Sequence, residues 1–160
     1  MANILLFDDK PGVRKLLAEE LAFQGYTVMT VGDLALVKEI IKFSSLDLVI
    51  LDIYVKGQHR WDLFLDIKHQ EPHLPVLIVT DSAGYRKDPR ATLAAGLLVK
   101  SFDFNDLLRK IAEVLQLKQA YTYNEASERG PIPISPPHTF QKQPGKGAPK
   151  VLDSSMGTLQ

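Results

Sequence analysis

The run "LDLVIL" at residues 46–51 is apolar at every position except Asp47, and it is one of five short apolar runs along the chain. The others are "NILLF" at 3–7, "TVMTV" at 27–31, "PVLIVT" at 75–80 and "LLVK" at 97–100. A strand with one face in water alternates apolar and polar residues. Three of these runs are instead apolar almost throughout, the pattern of strands covered on both faces of a parallel sheet. Helices must then supply the cover. Between the first two runs, "GVRKLLAEELAFQG" sets Val13, Leu16, Leu17 and Leu21 at helical spacing, with Pro11 suited to the first turn and Gly25 to the stop. Helices are also predicted over 33–43, 61–70, 89–95 and 104–117, the fourth a short one with Asp88 as cap and Pro89 as first residue. Five consecutive βα units predict an α/β fold, a doubly wound parallel sheet.

Beyond Leu117 the pattern stops. Residues 118–160 hold six of the ten prolines and no sustained hydrophobic period, so they cannot build a core of their own. "GPIPISPPHTF" favours extended backbone and "QKQPGKGAPK" is a linker composition. The expected division is a folded domain at 1–117 and a Pro/Gly-rich tail at 118–160, extended or disordered when free. Such a tail docks, where it docks, through Ile132, Ile134 and Phe140. Its lysines 142, 146 and 150 read as solvation, not as a nucleic-acid stripe.

Charge and composition narrow the function classes. The 19 basic and 19 acidic residues balance, which argues against direct binding to nucleic acid or an anionic membrane surface. Without cysteine there is no disulfide, thiolate metal ligand or cysteine nucleophile. No signal-peptide pattern or membrane-length apolar run is present, and a cytoplasmic location is expected.

In an open α/β sheet, ligands sit at the carboxyl ends of the strands. The residues there are Asp8 and Asp9 after the first run, Asp52 after the third, Thr80 closing the fourth and Lys100 closing the fifth. With a strand order of 2-1-3-4-5 these side chains converge. Three carboxylates at one edge repel and raise one another's proton affinity unless a cation lies between them. Magnesium suits such a group, since it takes a few carboxylates, a carbonyl and waters and leaves room for a phosphoryl oxygen. Cation, ammonium and hydroxyl around one carboxylate describe a site for an incoming phosphoryl group, with a carboxylate as nucleophile and an aspartyl phosphate as product.

The motifs "FDDKP", "LVILDI", "LIVTD" and "LLVKSF", in this order at strand ends, resemble the receiver domain of bacterial two-component response regulators over residues 1 to 117. The resemblance implies a flavodoxin-like (βα)5 sheet and assigns roles residue by residue. Asp8 and Asp9 are the magnesium-binding acidic pair, Asp52 the phosphoacceptor and further ligand, and the Tyr54 main-chain carbonyl the backbone ligand. Thr80 is the switch hydroxyl and Lys100 the phosphate-contacting lysine. The chain is expected to take a phosphoryl group from a sensor histidine kinase or a histidine phosphotransfer protein. It then signals by contact with an output protein, homodimerisation being left open. It is a phosphoacceptor and not an enzyme, beyond self-catalysed transfer and slow autodephosphorylation. With no effector pattern in the tail, a stand-alone receiver is expected.

Some positions depart from the family. Lys56 and Arg60 replace the usual proline and glycine after the phosphoacceptor, Ser101 replaces a proline, and Leu97 replaces the switch aromatic. The stretch from Gly96 to Lys100 is shorter than usual. Tyr54 and Ser82 stand where the family tunes acyl-phosphate lifetime, the bulk of Tyr54 slowing attack by water. Leu97 in place of the switch aromatic, the shortened approach to Lys100, and Lys56 and Arg60 near the site favour a rival, a degenerate receiver acting as a phosphorylation-independent interaction module, which the intact acids, Thr80 and Lys100 oppose. A magnesium-dependent phosphohydrolase would want a second acid at position 54, where Tyr54 stands. His69 and His73 share a helical spacing that Pro72 interrupts, and read as surface histidines. Trp61, Phe64, Leu65 and Ile67 read as the packed face of the third helix.

Overall fold

A computed structural model describes residues 1–100 and 103–128. Along the chain the elements are β1 (Asn3–Phe7), α1 (Pro11–Phe23), β2 (Thr27–Val31), α2 (Leu34–Phe43), β3 (Leu48–Leu51), β4 (Tyr54–Val55), β5 (Gln58–His59), α3 (Trp61–Gln70), β6 (Val76–Thr80), β7 (Gly96–Val99) and α4 (Phe104–Glu128). The five apolar runs pair in parallel in the order β2-β1-β3-β6-β7, which is the flavodoxin-like 2-1-3-4-5 once the separate β4–β5 hairpin is set aside.

Why the central runs are apolar throughout is visible in the packing. Ile4, Leu6, Leu48 and Ile50 face Leu17 and Leu21 of α1 and Leu107, Ile111 and Val114 of α4. Leu5, Phe7, Val49 and Leu51 point the other way, onto Val37 and Ile41 of α2 and Trp61, Phe64 and Ile67 of α3. Each full burial of such a side chain contributes roughly 1.5–3 kcal/mol, so both layers are needed to hold the sheet. Pro11 opens α1, and Gly25, at φ +92°, closes it. Gly25 N–H donates to the Ala22 carbonyl at 3.0 Å and Tyr26 N–H to the Leu21 carbonyl at 3.2 Å, the paired bonds of a left-handed helix stop.

The structure differs from the sequence expectations at four places. First, the fourth crossover is two 3-10 turns, Ala83–Lys87 and Pro89–Leu93, in place of an α-helix over 89–95. Asp88 caps Arg90 N–H at 2.9 Å and Pro89 opens the second turn as expected. Asp88, the residue before Pro89, is extended at φ −73° and ψ 127°, which divides the connection into two segments too short for regular helix. Second, α4 continues past Leu117 to Glu128, because no glycine or proline interrupts it and Lys118 Nζ donates to the Leu46 carbonyl at 3.1 Å and Asp47 Oδ1 at 2.9 Å. Positions 118–128 are therefore helical, where an extended tail was expected. Third, "YVKGQH" forms the β4–β5 hairpin, turning at Lys56 (φ +47°) and Gly57 (φ +79°). Fourth, Leu65 is exposed while Leu63 is buried with Trp61, Phe64 and Ile67. At 100° per residue the buried arc runs from Leu63 to Trp61, and Leu65 falls just beyond it.

Ser101 and the tail residues Ile132, Ile134, Phe140, Lys142, Lys146 and Lys150 lie outside the described residues. Among the described residues no helix is long and apolar enough to cross a membrane.

Candidate functional site

Main-chain bonds that continue the sheet ladders past the strand ends set the backbone of the site. Asp8 N–H donates to the Val31 carbonyl, Asp52 N–H to that of Phe7 at 3.1 Å, and Lys100 N–H to that of Thr80 at 2.8 Å. The five strands of the main sheet being parallel, these residues share one edge, and the site sits where β1, β3, β6 and β7 end. Asp8, Asp52 and Thr80 are 1%, 2% and 0% exposed, the only buried polar or charged residues among those described.

Each predicted site side chain is brought to this edge. Carboxylate oxygens of Asp8, Asp9 and Asp52 lie within 4.8 Å of one another. Lys100 Nζ bridges two of them, 2.6 Å from Asp8 Oδ2 and 2.8 Å from Asp52 Oδ2. The remaining oxygens of that pair accept main-chain donors: Asp8 Oδ1 from Lys10 N–H at 2.8 Å and Asp52 Oδ1 from Tyr54 N–H at 2.9 Å. Asp9 does not cap α1, whose N-cap residue is Lys10 and which has no side-chain cap. Its Oδ2 accepts instead from Lys56 N–H in the hairpin turn at 3.0 Å. Asp9 Oδ1 and Thr80 Oγ1 are buried and have no hydrogen-bond partner among the described residues. Thr80 lies beside Lys100 at this edge, since Thr80 pairs with Val99.

The charges do not cancel. Three carboxylates and one ammonium leave an excess of two negative charges in a region largely closed to water. Burial pushes the Asp52 carboxyl above its ordinary range, with help from the Asp8 charge and against the donors from Lys100 and Tyr54. Burial works to lower Lys100, but hydrogen bonds to Asp52 and Asp8 outweigh it and hold the ammonium above its ordinary range. Both shifts favour a bound proton, at Asp52 through burial and at Lys100 through its carboxylate partners. A divalent cation fits this donor set on three counts: hard oxygen donors, two uncompensated charges, and a buried carboxylate oxygen without a donor.

Four supporting groups were not visible in the sequence reading. Arg14 Nη1 donates to the Asp8 carbonyl at 2.6 Å. It has room because position 32 is glycine, where a Cβ would stand 2.4 Å from that nitrogen. Lys56 contributes its N–H, not its ammonium. His59 Nδ1 meets the Tyr85 hydroxyl at 2.6 Å. Gly57 was a readable turn signal, but Lys56 before it is not among the residues that mark a two-residue hairpin. The long-range pairs carried none. Of the two positions that the resemblance links to acyl-phosphate lifetime, Tyr54 is 39% exposed with its ring against His59, and Ser82 accepts from Gly84 N–H at 3.2 Å. Arg60 is paired with Asp62 at 2.7 Å, which neutralises part of the loop's basic charge.

Residues 4–112 match the response regulator receiver domain family. Over 118 residues the chain is 33% identical to the transcriptional regulatory protein GlrR of Escherichia coli K12, covering 72% of this chain and 26% of GlrR. It is 29% identical over 137 residues to the transcriptional regulatory protein TcrA of Mycobacterium tuberculosis H37Rv, 84% of this chain and 49% of TcrA. The chain thus spans about a quarter to a half of these relatives. Among solved structures it is similar to the response regulator protein TrrA of Thermotoga maritima in complex with Mg(2+)-BeF, at 32% identity and TM-score 0.67, covering 71% of this chain and 99% of TrrA. TrrA has also been solved in complex with the histidine kinase ThkA, with the same identity and TM-score, covering 72% of this chain and 99% of TrrA.

Proposed function

The chain belongs to the response regulator receiver domain family of two-component signalling, and on that footing we propose that Asp52 is the acceptor of a phosphoryl group from a phosphohistidine partner. A carboxylate oxygen of Asp52 attacks phosphorus, a P–O bond forms, the P–N bond breaks and the imidazole leaves with its electron pair. Asp8, Asp9, Asp52 and the Tyr54 carbonyl would hold magnesium. When bound, it offsets the carboxylate charge and that of the phosphoryl oxygens. Lys100, which pairs with Asp52 Oδ2 in the unphosphorylated chain, takes a phosphoryl oxygen as partner once the carboxylate charge has passed into the acyl phosphate. The Thr80 hydroxyl supplies a second donor to those oxygens.

The observation that carries this reading is the pairing of a cation-bridged acidic cluster with two buried oxygens, Asp9 Oδ1 and Thr80 Oγ1, that lack partners among the described residues. A surface used only for docking needs neither. The partner is proposed to be a sensor histidine kinase or histidine phosphotransfer protein, in line with the TrrA–ThkA complex. The signal is proposed to leave by protein contact, with no direct role for nucleic acid or membrane. The receiver unit is assigned to residues 1–117, with 118–160 as an appended segment that begins as the continuation of α4. Beside the departures at Lys56, Arg60 and Leu97, the degenerate-receiver reading draws on one structural observation, the replacement of the fourth helix by 3-10 turns.

One experiment separates the two. With magnesium and a small phosphodonor, the parent gains the mass of one phosphate, and with beryllofluoride the fluorescence of buried Trp61 changes. Both responses vanish in Asp52→Asn. A parent that shows neither overturns the phosphoacceptor reading.

A further inference from the structure

The β4–β5 hairpin is held over the acidic cluster by contacts that phosphoryl transfer itself does not use. Its turn places Lys56 at φ +47° and Gly57 at φ +79°, a conformation favoured by glycine and asparagine and unfavourable for lysine. The ladder is only two residue pairs, Tyr54 with His59 and Val55 with Gln58. A hairpin this short does not hold itself in water. Yet Lys56 N–H reaches Asp9 Oδ2 at 3.0 Å, on the carboxylate whose other oxygen is buried without a partner among the described residues.

The near strand is held by Val55, buried in the core, and the hairpin base by Arg60 N–H donating to the Ile53 carbonyl at 2.7 Å. The far strand, which leads back from the turn, is held by a side chain. His59 Nδ1 lies 2.6 Å from the Tyr85 hydroxyl, and its ring is 5.2 Å from that of Tyr85 and 5.3 Å from that of Tyr54. Tyr85 belongs to the turn Ala83–Lys87 that follows Thr80, and its ring packs on the core, 6.2 Å from Trp61. One side-chain hydrogen bond therefore joins the hairpin after Asp52 to the turn after Thr80.

We propose that His59 and Tyr85 are positioning residues: their hydrogen bond anchors the β4–β5 hairpin so that Lys56 N–H holds Asp9 in the orientation the cation site requires. The inference rests on reading Asp9 as a magnesium ligand, but the anchoring is measurable without metal. On the full chain, amide exchange is followed by NMR in metal-free buffer, and magnesium is then titrated by the shifts of the Asp9 and Tyr54 amides. Tyr85→Phe keeps the ring and removes the hydroxyl. It is expected to speed exchange of the Lys56 amide about three- to tenfold, the effect of one hydrogen bond, and to raise the magnesium midpoint by a similar factor. His59→Ala behaves alike, whereas His59→Asn, whose side-chain amide stands where Nδ1 stands and still pairs with the hydroxyl, keeps the parent rate. Exchange at Lys56 unchanged in Tyr85→Phe and His59→Ala overturns the proposal. So does an equal acceleration at the β3 amides, which marks a general loss of stability. A parent without any magnesium response overturns the reading of the acidic cluster and, with it, the purpose assigned to the anchor, while the Lys56 exchange rates still decide the anchor itself.

Discussion

Lys100 shows how a single residue is defined by its neighbours. An exposed lysine after a strand is ordinary, but here the side chain is 9% exposed and bridges Asp8 and Asp52. Removing one partner from a buried ion pair leaves uncompensated charge, at a cost of about 3–5 kcal/mol. Lys100→Met is expected to lose stability on this scale in urea unfolding without metal, and added magnesium is expected to narrow the gap to the parent. Arg14 and Gly32 form a second pair. In Gly32→Ala the new Cβ displaces the guanidinium, the flexible end of the contact, so Arg14 gives up the Asp8 carbonyl. Gly32→Ala and Arg14→Met should each cost about 1–2 kcal/mol, and the double variant no more than the larger single, which a double-mutant cycle measures. Asp8, Asp9, Asp52, Thr80 and Lys100 were legible because each directly follows or closes an apolar run. Arg14 was not, because nothing in "PGVRK" tells that position 32 leaves room for it.

At the scale of elements, the structure departs from the sequence pattern where a segment's conformation depends on a distant partner. The α4 helix was expected to end at Leu117, where its hydrophobic stripe weakens, but Lys118 ties it to Leu46 and Asp47, and Tyr121 stacks on His73 with ring centroids 6.2 Å apart. This anchor depends on pH. Burial works to raise the Asp47 carboxyl, but the Asn3 N–H and the Lys118 ammonium outweigh it and hold the group below the usual carboxylate range. A carboxyl lowered in the folded state contributes stability that is present above its unfolded value, about 3.9, and lost as pH falls through the folded one. Amide protection over residues 116–122 is therefore expected to fall below about pH 4, and Asp47→Asn to flatten that dependence at a lower level. The fourth crossover departs for a local reason: "PRATLAA" has helical composition, but Asp88 is extended before Pro89 and cuts the connection into two short 3-10 turns.

For the whole molecule, the sheet with a helical layer on each face makes the two core clusters one cooperative unit. Phe64→Ala under α3 and Ile111→Ala under α4, both at fully buried positions, should each lower stability by about 2–5 kcal/mol in a single urea transition with unchanged slope. A biphasic curve would show instead that the layers unfold separately. The sequence by itself determined the five-stranded parallel sheet, the two-sided cover and the gathering of acids, hydroxyl and lysine at one edge. Those features follow from local pattern, since an apolar run that must be buried on both faces admits few arrangements, and parallel strands bring their ends to one side. Only the tertiary structure decided that Asp9 is held by the Lys56 N–H, that His59 reaches Tyr85, and that α4 runs on to Glu128. Each depends on contact between groups far apart in the chain, 47, 26 and 71 residues in these three cases. Short-range periodicity carries no record of such contacts, because they exist only once the sheet has set the distances between loops.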